Sequence, residues 1–374
     1  MLCCIISFVT NRKTTPKYVH IYEHLRDAIR QGRYATGQRL PSEAQLVKTF
    51  DTSRITVNRA LRDLQTGGFI DRRAGSGSFV RARAAQVYQL GLLIPGLGQT
   101  EIFEPICRGM SQAEQTEHHV LLWGKSLAES NPDEGHVREV CAQLISKNVS
   151  GVFFAPFELT PERDALNQLI VNEFDAASIP VVLLDRDLVS YPERSKYDLV
   201  GIDNRRASHV VTAHLMNAGC RRIVFLGRPG SAPTVDARAL GYREALQHGG
   251  WEFDADMICR LDPTNVTAVQ AMLKRTKCDG VVCANDITAA QLMRTLQELG
   301  IPVPDRIRMT GIDDVKYASL LSVPLTTIHQ PCADIGRMAV ATMVHRLQNP
   351  DLPAQDVLLN FRLIVRQSSG ASTR

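Results

Sequence analysis

Two groups of side chains in this 374-residue chain have types and spacings that can do chemistry. The first is compact and basic. Arg54, Thr56, Asn58 and Arg62 fall on the polar side of a helical period that opens at Ser53. Arg72 and Arg73 follow shortly before the turn Gly75-Ser76-Gly77. Hydroxyls, an amide and guanidinium groups at that spacing suit hydrogen bonds to phosphate oxygens and base edges. The second group is dispersed, and its members stand where apolar runs stop. Pro95 ends the first run and Phe103 opens the helix after it. Asp185-Arg186, Asp203-Asn204, Asn285-Asp286 and Asp313-Asp314 end later runs, and Arg238 opens a helix in the loop after Leu226. Carboxylates and amides around an arginine can hold adjacent hydroxyls by paired hydrogen bonds. An Asp or Asn at a run end is often only the N-cap of the next helix, and Asp203 and Asp286 are read as caps or packing contacts rather than ligands.

Other chemistries find little support. There is no P-loop, G-x-S-x-G or H-E-x-x-H. His118-His119 reads as a solvated turn, and no lysine of residues 88–370 stands in a Schiff-base context. The nine cysteines are odd in number and form no C-x-x-C. Neither a disulfide framework nor a zinc site is expected, which points to a reducing cytoplasm. No metal, cofactor or enzymatic activity is expected. Met1–Val9 is apolar but too short to span a bilayer, and it lacks the features of a signal peptide. Residues 1–13 are read as a disordered tail or the product of an early start codon.

The first group needs a small helical scaffold. Ile21, Leu25 and Ile29 mark a first helix, stopped by Gly32. Ser42 with Gln45 makes a capping box, so a second helix starts near Glu43 and runs to about Phe50. Ser53 caps a third, whose apolar stripe is Val57, Ala60, Leu61 and Leu64. Gly67-Gly68 stops it, and Phe69–Arg72 and Ser78–Val80 form two strands about a glycine turn. Residues 1–87 hold 15 Lys+Arg against 6 Asp+Glu, a net of +9, whereas the remainder nets −5. A basic front end on a mildly acidic body suits a polyanionic partner.

From Tyr18 to Val80 the chain resembles the winged helix-turn-helix head of the GntR family of bacterial regulators. The likeness rests on Leu40-Pro41-Ser42-Glu43, on Ser53-Arg54-x-Thr56-Val57 and on the Gly-Ser-Gly wing. It implies that Ser53, Arg54 and Thr56 touch phosphates or bases, and that Gly75, Ser76 and Gly77 enter a minor groove. Ser42, Glu43, Asn58 and Arg59 complete the expected DNA-binding set. Ala44 and Asn58 stand where many members carry arginine, so base preference is not carried over. The domains expected are a head over 14–80, a linker over 81–87 and a body over 88–370.

In the body, strand runs alternate with helical periods. The strands expected are Gln89–Ile94, Val120–Trp123, Gly151–Ala155, Pro180–Asp185, Leu199–Asp203, Arg222–Leu226, Gly280–Ala284 and Arg308–Ile312. The helices are Glu104–Gln115, Glu134–Lys147, Arg205–Ala218, Ala237–Gln247, Ala268–Lys274, Ile287–Leu299 and Asp334–Leu347. Near-continuous apolar strands separated by helices mean α/β architecture with parallel sheets, too many strands for one lobe. The stretches around Val200–Gly227, Val235–Leu246, Gly280–Asp314 and Pro324–Gly336 resemble the effector domain of LacI/GalR-family repressors, which is similar to periplasmic binding proteins. That likeness implies a two-lobed body, a small effector, a sugar, held by Asp185, Arg238, Asn285 and Asp313 with Pro95, Phe103 and Gln330, and a homodimer on a double-stranded DNA operator. Arg238 and Asp313 are expected on opposite sides of the cleft. A purine or sugar-phosphate effector, or a sugar-binding protein without a regulatory role, is the alternative.

Overall fold

The computed structural model describes residues 16–30, 32–73, 75–81, 87–94, 101–113, 119–123, 133–160 and 162–370. Pro95, Ala74, most of the expected linker and the tail lie outside them. The chain separates into two compact units, 1–86 and 87–374.

The first unit has helices α1 (Lys17–Arg30), α2 (Glu43–Thr49) and α3 (Arg54–Thr66), followed by strands β1 (Ile70–Arg73) and β2 (Gly77–Val80). The local signals are those of the sequence. The Ser42 hydroxyl accepts from the Gln45 N–H at 3.3 Å while the Gln45 side chain takes the Ser42 N–H at 2.8 Å. Ser53 caps α3 by accepting from the Thr56 N–H at 3.2 Å. Val57, Ala60, Leu61 and Leu64 pack against Ile21, Leu25, Leu46, Ile70 and Val80, so one apolar stripe welds the three helices to the hairpin. β1 and β2 pair antiparallel from Ile70↔Val80 to Arg73↔Gly77. Gly77 sits at φ +111°, and a Cβ there would come within 2.7 Å of the Arg39 guanidinium.

The second unit begins with β3 (Tyr88–Leu93), α4 (Phe103–Ser111), β4 (His119–Trp123), α5 (Glu134–Ser146), β5 (Gly151–Phe154), α6 (Arg163–Ala176), β6 (Val181–Leu184) and β7 (Asp198–Ile202). It continues with α7 (Asn204–Asn217), β8 (Ile223–Gly227), α8 (Pro233–His248), β9 (Ile258–Arg260), α9 (Val266–Thr276), β10 (Gly280–Cys283), α10 (Asp286–Glu298) and β11 (Arg308–Thr310). Last come β12 (Thr327–His329), α11 (Cys332–Gln348), β13 (Asp356–Leu359) and β14 (Arg362–Ile364).

Two parallel sheets result, in the orders β13-β7-β6-β5-β3-β4 and β11-β10-β8-β9. Each has apolar strands because each is covered on both faces. One core lies under α5 and α6, another under α9 and α10, and a third runs along α4, α7, α8 and α11 beneath both sheets. The chain crosses from the first sheet to the second after β7, returns after β12, and crosses again after β13 to pair β14 antiparallel with β12. Close helix contacts fix the elements that border these crossings. Gly109 of α4 and Gly336 of α11 meet so tightly that a Cβ on either would lie 2.0 Å from a carbonyl oxygen of the other helix. The structure adds elements that the sequence reading lacks: α6, β9, β12, β13 and β14. α8 starts four residues before the expected Ala237, with Pro233 in its first turn, where the missing N–H is not needed.

Candidate functional site: a basic helix face and a buried polar cluster

In the head, α2, α3 and the hairpin converge on one polar network. The Glu43 carboxylate accepts from Arg54 Nε at 2.9 Å, from Asn58 Nδ2 at 3.3 Å and from Arg72 Nη2 at 2.7 Å. Arg72 also donates to Asn58 Oδ1 at 3.1 Å. Arg54 remains 81% exposed at its side chain. Glu43 therefore orients two groups of the expected DNA-binding set, Arg54 and Asn58, together with Arg72 of the hairpin. The hydroxyls of Ser42 and Ser53 are engaged as helix caps, and Thr56 Oγ1 lies 2.8 Å from Ser53 Oγ. Arg59 points toward α1, its guanidinium 3.8 Å from the Tyr18 ring centre. Gly75 and Ser76 form the exposed tip of the hairpin. Among these groups lies a concavity of about 650 Å³ bordered by Arg39, Arg54, Arg72, Arg73, Gly75 and Gly77. The arrangement is a rigid, cation-rich surface with exposed donors, fit for phosphates and base edges.

In the body the expected residues come from the carboxyl ends of strands in both sheets, where doubly wound folds hold ligands. Asp185 and Arg186 follow β6 and are 5% and 4% exposed. Arg186 pairs with Glu158, from the loop after β5, lies 3.7 Å from Asp185, and faces the buried Phe103 ring at 5.4 Å. Arg238, on the second turn of α8, is 3% exposed. It donates to Asn204 Oδ1 at 2.7 Å and to the Ala284 carbonyl at 2.6 Å, and its Nη2 is 3.7 Å from Asp313 Oδ1. Gln330 Nε2 donates to the same Asp313 oxygen at 2.7 Å. Arg238 and Asp313 are thus direct partners projecting from the same sheet, not opposite walls of the cleft. Both α8 and the end of β11 belong to the second sheet, and the wall that faces them is Glu158, Asp185 and Arg186. Asn285 caps α10, its Oδ1 accepting from the Thr288 N–H at 2.9 Å, which leaves its two amide N–H groups and one Oδ1 lone pair for other partners.

Three buried polar atoms of this cluster have no hydrogen-bond partner: Asp185 Oδ1, Arg186 Nε and Gln330 Oε1. Leaving such groups unpaired is costly, about 1–3 kcal/mol each. Asp185 at φ +68° and Asp313 at φ +133° also hold the left-handed backbone region, which persists mostly where a site is built around it. Burial pushes the Asp313 carboxyl up to about 8, against the pull of the Arg238 guanidinium. Burial likewise raises Asp185, against Arg186 and Arg238. It would raise Glu158 too, but the charge and hydrogen bond of Arg186 bring that carboxyl below its ordinary value. Beside Asp313 and Gln330 a pocket of about 300 Å³ opens toward Ile102, Pro105 and Cys332. Contacts between the two lobes border the region: Leu159 N–H to the Gly230 carbonyl at 2.7 Å, Ala232 N–H to Glu158 at 3.2 Å, and Lys316 to Glu104 at 3.4 Å.

Asp203 and Asp286 stand outside this set. Asp203 caps α7 at the Arg206 N–H, and the fully buried Asp286 accepts from Thr327 Oγ1 at 2.6 Å and the Val315 N–H at 3.1 Å. Glu158 is the member that sequence reasoning missed. Its signal was available, since it too follows an apolar run, Gly151–Ala155, but Pro156 and Phe157 intervene.

A winged helix-turn-helix and a two-lobed body with a polar cluster at its strand ends define the class of DNA-binding regulators controlled by a small molecule. Residues 17–80 match the gntR family of bacterial regulatory proteins, and residues 212–369 match the periplasmic binding protein-like domain. The chain therefore carries a GntR-family head on a body of the LacI-type fold. It is 26% identical over 370 residues to the arabinose metabolism transcriptional repressor of Geobacillus stearothermophilus, across 96% of this chain and 98% of that protein. It is 28% identical to the transcriptional regulator CelR of Thermobifida fusca, across 84% and 89%. The fold is shared with a solved complex of the regulator CelR with cellobiose, at a TM-score of 0.63 and 23% identity, over 85% of this chain and 91% of that one. No helix among the described residues is long and apolar enough to cross a membrane.

Proposed function

We propose that the chain is a sequence-specific transcriptional regulator, a cytoplasmic repressor of carbohydrate-utilisation genes. A small neutral sugar bound between the lobes sets its affinity for a double-stranded operator. The observation that carries the choice of ligand is the set of unpaired buried atoms. Two of the three, Asp185 Oδ1 and Gln330 Oε1, are acceptors and call for donors. Hydroxyls donate and accept; a phosphate dianion only accepts. Both guanidinium groups already have protein partners, Arg186 in Glu158 and Arg238 in Asn204 Oδ1, the Ala284 carbonyl and Asp313. A sugar phosphate would have to displace one of them, so the neutral sugar is favoured over that alternative. A relative named for arabinose metabolism and a solved regulator complex with cellobiose agree in class.

In this reading Asp185, Arg238, Asn285, Asp313 and Gln330 bind the sugar together with Phe103, Glu158 and Arg186 belong with them, and Pro95, outside the described residues, is kept in the set by resemblance alone. Ser42, Glu43, Ser53, Arg54, Thr56, Asn58, Arg59 and the 75–77 wing serve the DNA. The protein acts as a homodimer on a pseudo-palindrome, because one head spans too few base pairs for useful selectivity. Ligand shifts the body toward the closed lobes and so changes the operator-binding population. The test is a titration of full-length protein against a duplex it has enriched from a random pool, with and without pentoses, hexoses and their phosphates. A neutral sugar should change the apparent Kd by about tenfold or more, a coupling of about 1.4 kcal/mol. A response to phosphorylated sugars alone would reject the neutral-sugar reading. Sedimentation of a monomer that still binds one half-site tightly would reject the dimer.

A further inference from the structure

The outward side of α3 carries a residue that the network in the head does not explain. Ile55 is 83% exposed, the most exposed large apolar side chain among the described residues. At 100° per residue, Ile55 stands opposite the buried stripe of Val57, Ala60, Leu61 and Leu64, on the ridge it shares with Arg59 and Arg62. A β-branched residue is not what helix propensity selects for such a place. The polar neighbours are engaged. Arg54 and Asn58 bond Glu43, Thr56 bonds Ser53, and Arg59 stacks on Tyr18. Arg54 keeps its terminal N–H groups free beside it, but Ile55 itself has no donor or acceptor, so at its own position the helix cannot read a base by hydrogen bonding.

We infer that Ile55 is a specificity-determining residue that reads thymine through its 5-methyl group. The inference rests on the head binding in a major groove. On that groove's edge the bases offer donors, acceptors and a single apolar group, the thymine methyl. Isoleucine against a guanine or adenine edge would strip water from N7 and O6 or N6 and return nothing, so it selects against them. Against the methyl it gains by burying apolar surface. One half-site position should then be thymine for the sake of its methyl alone.

The full-length protein is first used to enrich a site from a random duplex pool. Each thymine of that site is then replaced singly by deoxyuridine, which removes only the methyl. One position per half-site should weaken wild-type binding about fourfold, the value of one buried methyl-sized group. Ile55→Ala, whose site is exposed and whose melting should match wild type, should bind the thymine site more weakly and show no further loss at the deoxyuridine position. Enrichment with no deoxyuridine penalty, or a full penalty retained in Ile55→Ala, overturns the inference while the DNA-binding reading stands. A protein that enriches no sequence overturns both.

Discussion

The head and the body meet their partners with opposite physical strategies. In the head the charged side chains are exposed or half-buried, and Arg54 and Arg72 are already hydrogen-bonded to Glu43. In the body cluster they are buried, and three polar atoms have no partner. The head is finished before its partner arrives. It presents many weak, solvated contacts, which suit a long polyanion and are screened by salt. The body cluster is incomplete by itself, and a small ligand that completes it gains from a few strong hydrogen bonds in low dielectric.

The sharpest way to break that comparison is to remove one buried charge. Arg238→Ala leaves Asp313 without its guanidinium partner and Asn204 without its donor. Chemical unfolding should show the body destabilised by about 3–5 kcal/mol, and the response to sugar should vanish. A loss below about 1 kcal/mol would mean that the cluster is far more hydrated than its burial implies. The matching change in the head is Arg54→Ala. It should weaken operator binding by about 1–3 kcal/mol, yet shift stability by no more than about 0.5 kcal/mol because the side chain is solvated. A comparable loss of stability would show that the network around Glu43 holds the fold as well as the surface.

The third effect is in pH and is spread over several units. Asp313 is raised in the folded state, so folding favours its protonated form. The folded protein then binds more protons than the unfolded chain between the ordinary value of 3.8 and about 8. Stability should fall as pH rises through that window, by at most about 1.4 kcal/mol per unit, and level off above it. Asp313→Asn should remove this component. Equal pH profiles for wild type and Asp313→Asn in urea titrations would refute it. Asp286, raised to about 6 by burial, contributes in the same direction below that pH and is common to both proteins.

The same contrast decides what could be read from the chain. The head was legible nearly to the residue, because its signals are local: the Ser42 box, the Ser53 cap and a four-residue stripe. The strands were one residue off, at Ile70–Arg73 and Gly77–Val80, where the hairpin register and not propensity sets the ends. In the body the long apolar strands were legible, but α6 was passed over although Leu166, Ile170 and Phe174 recur at helical spacing. β9, β12 and β14 have three residues each, too few for a period to register. The strand-end rule found Asp185, Asn285 and Asp313. It could not reveal that Arg238 and Asp313 touch, because that contact depends on how α8 packs against the strands of its own sheet. Nor could it foresee that Glu43 would gather Arg54 and Asn58 from α3 and Arg72 from β1.

The path of the chain through the body has a consequence for how such proteins are assembled over generations. The chain enters the body from the head once, but it passes between the two lobes three times, after β7, β12 and β13. A single recombination point near residue 86 can exchange one head for another and leave each product with an intact core. No single point can exchange one lobe for another, because each lobe is woven from separated stretches of the gene. Heads of different families are thus expected to be traded freely onto this type of body, whereas its two lobes must be inherited together.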